Sequence, residues 1–328
     1  MRKETDSKAA VEMNNISKSF GGINALDNVD ISFRYGEIHA LLGENGAGKS
    51  TTMKIITGFL PPSAGKVSVA GHDVVTDSLA ARSNIGYLPE TVPLYAEMTV
   101  KDYLTFMGKI RGMSRSKIRS RIDEVVDLCR LVDYRNSHIS KLSKGFRQRV
   151  GIAQAILHEP KVLILDEPTI GIDPRQVIET RDLIESLGGD RTVLVSSHLL
   201  DEVERMCGRV IIIDHGSIKA EDTPENLQRR LRNVGRIEVH IKGPEETVST
   251  ALSAIRGVEN VTFLADLGDG IRSYQIDTKR GDDVRSRISS AIVEGKWELV
   301  HMESITMSLE EIFVEVTTAL DSEEESIE

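Results

Sequence analysis

The chain has 328 residues, which suggests two domains or one large domain with an appendage. It is 40% hydrophobic and 28% charged, with enough apolar mass for a substantial core. Its formal net charge of −10 lacks the basic bias of a typical nucleic-acid binder, although a local basic patch remains compatible with it. With 2 cysteines, the chain cannot form a disulfide framework or a four-sulfur zinc site, so we expect a reducing compartment. The longest apolar runs have the length of strands, and no secretory signal is expected at the start. Any membrane role is therefore expected to need another subunit.

Both ends of the chain are charged and rich in small residues. Residues 1–10 and 318–328 are therefore expected to be disordered. The acidic end favours a solvated terminus over a binding element.

Between residues 11 and 225, short β-branched runs alternate with helical patterns, which predicts an α/β fold. Strands buried on both faces, as in a parallel sheet, are predicted at 38–42, 161–166, 192–197 and 209–214. One helical face is predicted within 122–132, formed by Ile122, Val125, Val126, Cys129 and Val132. Its position favours Cys129 as a small core residue over a reactive thiol.

The pattern changes after residue 225, and the order βαββαβ predicts a small ferredoxin-like α+β domain at 236–317. Its last helix is predicted at 308–317. This half shows no metal-binding or catalytic pattern, and we expect His240 and His301 to lie on a strand surface or edge.

A glycine-rich segment follows the first predicted buried strand. Residues 43–50 read GENGAGKS and match the phosphate-loop pattern GxxxxGK[ST], with a helical run after them. Glycines let backbone amides converge on phosphate oxygens, and the helix N-terminus adds positive charge. Lys49 is expected to reach the β- and γ-phosphates, and Ser50 to ligate Mg²⁺. A Gly-rich turn without a ligand is the alternative.

Two acids end the buried strand at 161–166. A strand that delivers a carboxylate at its carboxyl end is how nucleotide sites hold Mg²⁺, so Asp166 is the candidate metal ligand. Glu167 is the candidate for orienting or deprotonating the attacking water.

Two further positions have both a structural and a functional interpretation. Ser143 and Gly145 begin a helical stripe, which is typical of an N-capped helix and also offers a second anion-binding end. His198 follows the strand 192–197 and is either a hydrogen-bonded structural histidine or a residue of the ligand edge of the sheet.

In combination, these segments resemble the ATP-binding subunit of an ABC transporter, over about residues 11–225. LSKGFRQR at 142–149 precedes LILDEP by about 20 residues, and GIDP at 171–174 and SSH at 196–198 follow. More narrowly, GYLPE, LSKGF and SLEEIF are similar to cassettes that serve ABC-2-type exporter permeases, including gliding-motility and copper-processing transporters.

The resemblance implies a P-loop NTPase cassette with a helical subdomain at about 91–150, binding ATP and Mg²⁺. Adenine would stack on Phe20, which by its pattern alone is an ordinary core phenylalanine. The implied nucleotide-binding residues are Phe20, Gly43, Glu44, Asn45, Gly46, Ala47, Gly48, Lys49, Ser50 and Thr51, with Ser143 and Gly145 acting on the partner chain's ATP. The implied metal ligands are Ser50, Glu90 and Asp166, and the catalytic residues are Glu167, His198 and Lys49.

The chain departs from the family pattern at two places. Glu90 stands where most cassettes have glutamine; a carboxylate can still ligate Mg²⁺ but cannot donate a hydrogen bond to the attacking water. Lys144 and Phe146 replace a glycine and the glutamine of the usual LSGGQ. Neither change predicts an inactive enzyme.

The family likeness also implies the assembly. Two cassettes pack head to tail around two ATP molecules, and this chain carries both halves of the site, which favours a homodimer. The segment between Glu90 and Ser143 would dock a separate membrane permease, placing the chain on the cytoplasmic face of the cell membrane. Export is what the subfamily suggests; substrate and direction belong to the permease.

Two rival functions are a soluble ABC ATPase acting on ribosomes or DNA, and a P-loop kinase or GTPase. The single cassette without sustained heptads disfavours the first, and LSKGFRQR with SSH disfavours the second. Residues 236–317 are compatible with contact to the other cassette, regulation by a small ligand, or stabilisation.

Overall fold

The computed structural model of the chain describes residues 9–197, 200–231, 235–278 and 283–305. Their contacts divide them into two compact units, residues 9–224 and residues 225–305. The acidic end and the helix predicted at 308–317 lie outside the described residues, as does His198.

An antiparallel sheet begins the first unit, in the order β2-β1-β4-β5. Its strands are β1 (Ala9–Phe20), β2 (Ile23–Arg34), β4 (Ala64–Val69) and β5 (His72–Asp73). The sequence patterns did not predict this sheet. The expected disorder of residues 1–10 is wrong at its last two positions, because Ala9 and Ala10 belong to β1 and Ala10 is fully buried.

The second sheet has the order β10-β9-β3-β8-β7-β6, with only β10 antiparallel to its neighbour. Its strands are β3 (Ile38–Leu42), β6 (Ile85–Leu88), β7 (Val162–Asp166), β8 (Thr192–Ser197), β9 (Arg209–Asp214) and β10 (Ser217–Asp222). The four predicted buried strands are confirmed as β3, β7, β8 and β9. Because they run parallel, their carboxyl ends meet at one edge of the sheet.

The described helices of this unit are α1 (Lys49–Ile56), α2 (Ser78–Ser83), α3 (Val100–Ile110), α4 (Arg115–Leu128), α5 (Lys144–Ile156), α6 (Pro174–Leu187) and α7 (Leu200–Met206). Side-chain oxygens cap several of them. Thr99 accepts a hydrogen bond from Asp102 N at the start of α3, and Ser114 and Asp173 do the same for α4 and α6.

The helical face predicted within 122–132 is correct only as far as Cys129. Helix α4 ends at Leu128, and the chain then turns, so Leu131 is buried while Val132 is 57% exposed. Cys129 is fully buried, and burial raises the pKa of its thiol to about 12, which confirms it as a core residue. Across the described ranges, the helices lack the combination of length and apolar character needed to cross a membrane.

The second unit is a four-stranded antiparallel sheet with helices packed against it. Its elements are α8 (Pro224–Leu231), β11 (Gly235–Lys242), α9 (Glu245–Ser253), β12 (Val258–Gly268), β13 (Ile271–Thr278), α10 (Arg285–Glu294) and β14 (Glu298–Ile305). The strand order β12-β13-β11-β14 is the predicted ferredoxin-like arrangement. Its core contains Val239 and Tyr274 from the sheet and Val248 and Ile288 from the helices.

The two histidines of this unit face each other across β11 and β14. His240 pairs with His301 in the strand register, and their ring centroids lie 4.9 Å apart. His240 Nε2 lies 2.9 Å from Glu238 Oε1, and His301 is exposed. The prediction of strand-surface histidines is therefore confirmed.

Candidate functional site

The glycine-rich segment forms the connection between β3 and α1. Gly48 precedes the first helical residue with a φ of 112°, a conformation that favours glycine. At Gly43, a Cβ atom would lie 2.4 Å from the carbonyl oxygen of Ile213. The backbone therefore approaches too closely for any side chain there. No side chain caps α1, so its first N–H groups are available to an anion.

Lys49 is the first residue of α1 and is buried. Its Nζ donates hydrogen bonds to the carbonyl oxygens of Gly43, at 2.7 Å, and Glu44, at 3.1 Å. Burial lowers the pKa of Lys49, and the carboxylates of Glu167, Asp166 and others oppose that shift. The ammonium is thus held over the loop that would cradle a phosphate group.

A serine connects the two acids at the end of β7. Asp166 is the register partner of Ser196 on the adjacent strand β8. Ser196 Oγ donates to Asp166 Oδ1 at 2.6 Å and accepts from the backbone N–H of Glu167 at 2.9 Å. The sequence patterns did not single out Ser196 for this role, although its place two residues before His198 was the available signal. The hydroxyl fixes both acids relative to the sheet.

Glu167 has an unusual backbone for its residue type. Its φ is 49°, in the left-handed region, and its side chain is buried. Non-glycine residues in that region are uncommon, and such conformations cluster at functional sites. This left-handed conformation bends the chain at Glu167, directly after the end of β7.

Several of the predicted site residues line one open cavity of about 530 Å³. It is lined by Glu44, Asn45, Lys49, Ser50, Glu90, Glu167 and Ile170. Strands and loops far apart in sequence supply this lining, at the carboxyl edge of the parallel sheet. Thr51 lies in the first turn of α1 and is half-buried. The structure therefore brings together the phosphate loop, Glu90 and Glu167.

The donor set around Ser50 suits a hard divalent cation. Ser50 and Glu90 line the cavity, and Asp166 precedes Glu167 in the chain. Among the described residues, no group of three or more His, Cys, Asp or Glu is arranged to hold a metal. Mg²⁺ commonly takes one or two carboxylates and completes its shell with phosphate oxygens and water. These residues fit that pattern in the presence of a nucleotide.

Phe20 ends β1 and is 47% exposed, so the ordinary core interpretation is wrong. The Nζ of Lys18 lies 5.1 Å from the centroid of its ring. An exposed aromatic ring can stack on a planar base. Phe20 does not line the cavity.

Ser143 caps helix α5, as one of the two predicted interpretations requires. Its side chain accepts a hydrogen bond from the backbone N–H of Phe146 at 3.4 Å. Ser143 is exposed and Gly145 is buried. Neither lines the cavity that contains Lys49. The start of this helix is therefore not part of the lining around Lys49.

Comparison with known proteins assigns the family. Residues 26–170 match the ABC transporter family. The linearmycin resistance ATP-binding protein LnrL of Bacillus subtilis is 34% identical over 77% of this chain and 81% of its own length. The uncharacterized ABC transporter ATP-binding protein YxlF of Bacillus subtilis is 32% identical over 94% of this chain and 100% of its own length.

A solved cassette gives the same result in three dimensions. A dimeric ATP-binding cassette in a post-hydrolysis state, bound to ADP and phosphate, is 26% identical with a TM-score of 0.59. The match covers 65% of this chain and 98% of that one. The relatives do not favour a kinase, a GTPase or a ribosome-acting ATPase. The chain belongs to the ABC transporter family and is an ATP-binding subunit that hydrolyses ATP.

Proposed function

We propose that this chain is the ATP-hydrolysing subunit of an exporter and acts as a dimer of two copies. Each ATP is held between the phosphate loop of one copy and the Ser143 turn of the other. The separation of the two elements within one chain carries this proposal. Lys49 lines the cavity and Ser143 does not, while Ser143 is exposed at a helix N-terminus. The dimeric arrangement of a related cassette supports the pairing.

The residues divide the chemistry among them. Lys49 binds the β- and γ-phosphates, because its ammonium already lies against the loop. Glu167 orients or deprotonates the attacking water, and Phe20 stacks on adenine. His198 completes the catalytic set.

Mg²⁺ is held by Ser50, Asp166 and Glu90 together with the nucleotide. When bound, this ion neutralises charge on the β- and γ-phosphates. The hydrogen bond from Ser196 to Oδ1 orients the carboxylate of Asp166, and Oδ2 is the oxygen that would ligate the ion.

A separate membrane permease docks on the segment between Glu90 and Ser143 and its continuation into α5. A cavity of about 440 Å³ lies there, and its lining includes Glu90, Leu94, Lys144 and Gln148. The buried Nε2 of Gln148 has no hydrogen-bond partner among the residues that the structure describes. Buried donors are seldom left unpaired, so an oxygen of a docked chain would satisfy it. The chain would then lie on the inner face of the cell membrane.

The cargo is exported and is selected by the permease. The name of LnrL, a linearmycin resistance ATP-binding protein, and that of a relative called a Nod factor export ATP-binding protein support outward transport. ATP binding and hydrolysis by this chain drive the transport through dimer closure and opening.

The test uses a Glu167→Gln variant, which keeps the side chain's size and removes its charge. It is expected to bind ATP, hydrolyse it very slowly and accumulate as a dimer in gel filtration. A tagged form captured from gently solubilised native membranes with ATP should retain a polytopic partner, identified by mass spectrometry. The same capture without ATP is the control. Monomers in the presence of ATP would contradict the dimer, and recovery of soluble chains alone would contradict the permease.

A further inference from the structure

Phe146, in the first turn of helix α5, stands where the family pattern has glutamine. The backbone N–H of Phe146 donates to Ser143 Oγ, so the position of residue 146 affects the orientation of the capping hydroxyl. A serine hydroxyl that accepts this bond still has its own hydrogen to donate, for example to a phosphate oxygen. The contacts that fix the position of Phe146 therefore also influence the orientation of the Ser143 hydroxyl.

The ring of Phe146 is packed between two side chains. The ring centroid of Tyr134 lies 4.1 Å from that of Phe146, with 41° between the planes. The guanidinium carbon of Arg149 lies 5.5 Å from the same ring centroid. Aromatic pairs and cation–π contacts of this kind each contribute free energy beyond the area they bury.

Both neighbours of Phe146 are themselves anchored. Tyr134 belongs to a short 3₁₀ turn, where its N–H donates to Leu131 O and its carbonyl accepts from Ser137 N. Arg149 is 4% exposed and forms an ion pair with Glu179 of helix α6. Phe146 is therefore in contact with Tyr134 of the turn before α5 and with Arg149, whose ion pair joins it to α6.

We propose that Tyr134 is a positioning residue for ATP hydrolysis. Through its stacking on Phe146, it fixes the Ser143 hydroxyl in the orientation that engages the γ-phosphate bound to the other copy of the chain. This inference rests on the proposed function. It assigns a role to a tyrosine that lies outside every motif of the sequence.

The stack predicts a particular pattern of defects. Tyr134 does not line the cavity that contains Lys49, so its loss is expected to leave the ATP affinity of the monomer unchanged. Ser143 acts only across the dimer, so the same loss weakens ATP-driven dimerisation. A merely structural role would change both properties together, or neither.

The experiment measures dimerisation in the Glu167→Gln background by analytical ultracentrifugation with ATP. Adding Tyr134→Ala is expected to raise the dimer dissociation constant about tenfold, as loss of a contact of about 1.4 kcal/mol would. Tyr134→Phe keeps the ring and should restore tight dimers. Phe146→Leu should reproduce the defect with little change in volume. In an otherwise wild-type chain, Tyr134→Ala should lower the ATPase rate at limiting protein concentration.

A matched control deletes an aromatic ring from outside the segment proposed to dock the permease. Tyr35 lies between β2 and β3 and is 41% exposed. Tyr35→Ala should dimerise as the parent does. Binding of a fluorescent ATP analogue to the monomer and an unchanged melting temperature verify that each variant is folded.

Two results would overturn the inference. The first is equal dimer affinity with and without Tyr134→Ala and Phe146→Leu, while the Glu167→Gln parent dimerises with ATP. The second is a Tyr134→Phe variant as weak as Tyr134→Ala. Failure of the parent itself to dimerise with ATP would overturn the proposed function, and this inference with it.

Discussion

The hydroxyl of Ser196 lies 2.6 Å from Oδ1 of Asp166, and it also accepts the backbone N–H of Glu167. One side chain on β8 thus holds the two adjacent acids at the end of β7. All three residues are buried, so each lost hydrogen bond would leave a polar group away from water.

Replacing this serine should reduce both stability and turnover. Ser196→Ala leaves the Asp166 oxygen and the Glu167 N–H without this partner, at a cost of about 1–3 kcal/mol. We expect a lower melting temperature and a fall in kcat of on the order of tenfold. Ser186→Ala is the control, because it deletes a hydroxyl of α6 that donates to Leu183 O within the same helix. Wild-type turnover in Ser196→Ala would contradict a role for Ser196 in hydrolysis.

Lys49 should be indispensable for hydrolysis. Lys49→Ala removes the ammonium that would bind the β- and γ-phosphates, and we expect a loss of ATPase activity on the order of a hundredfold or more. A phosphate-release assay on the purified variant measures it. Lys54→Ala, in the last turn of the same helix, should retain activity. Near-normal turnover in Lys49→Ala would be incompatible with the site.

Glu90 should set the Mg²⁺ requirement. Glu90→Gln removes one negative charge from the cavity, so we expect half-maximal ATPase activity to need severalfold more free Mg²⁺. Glu44→Gln removes a carboxylate from the same cavity but from a residue we do not assign to the metal. A Mg²⁺ titration at fixed ATP compares the two. Equal shifts in both variants would show a general charge effect and contradict a ligand role for Glu90.

A buried histidine predicts loss of stability in mild acid. His39 of β3 is 0% exposed, and its Nε2 accepts a hydrogen bond from Arg34 N. Within the described part of the chain, its buried Nδ1 has no hydrogen-bond partner. Burial and then the charge of Arg209 lower the pKa of His39 to about 4, while a hydrogen bond to Arg34 opposes this. The unfolded chain therefore takes up this proton first, as pH falls below about 6.5.

Because the unfolded chain binds this proton more readily than the folded chain, protonation of His39 favours unfolding. Stability from His39 is full above pH 6.5, falls between pH 6.5 and 4, and is lower by about 2 kcal/mol at pH 5. His39→Gln keeps an acceptor and cannot titrate, so melting temperatures measured from pH 8 to pH 5 should fall less steeply. The pKa of His158 is also lowered to about 4, so some slope should remain. An unchanged slope would contradict the prediction.

The sequence predicted the elements that have a strong local pattern. Strands β3, β7, β8 and β9 are apolar runs of strand length, and GxxxxGKS needs its strand and helix in a fixed order. The ferredoxin-like strand order followed from the alternation of strands and helices. Asp269 and Gly270, both at positive φ, form the two-residue turn between β12 and β13, and Asp-Gly is a residue pair that favours such turns.

The remaining features depend on contacts between distant residues. The Ser196–Asp166 bond joins positions 30 residues apart, and the Tyr134–Phe146 stack joins a turn to a helix. Periodicity also failed at Val132, because the apolar spacing continued past Leu128 although the helix did not. The antiparallel strands β1 and β2 contain bulges that obscure the alternation of apolar and polar residues. Such features require the folded arrangement.

The left-handed backbone at Glu167 places activity and stability in opposition. Asparagine tolerates this conformation better than glutamate does, by up to about 1 kcal/mol, but it lacks the carboxylate. A substitution that abolishes hydrolysis can therefore be neutral or favourable for folding. If Glu167 acts on the attacking water as proposed, a single substitution there would give a cassette that binds ATP without cleaving it and that loses no stability from the backbone. The glutamate at this left-handed position would then serve turnover rather than the fold.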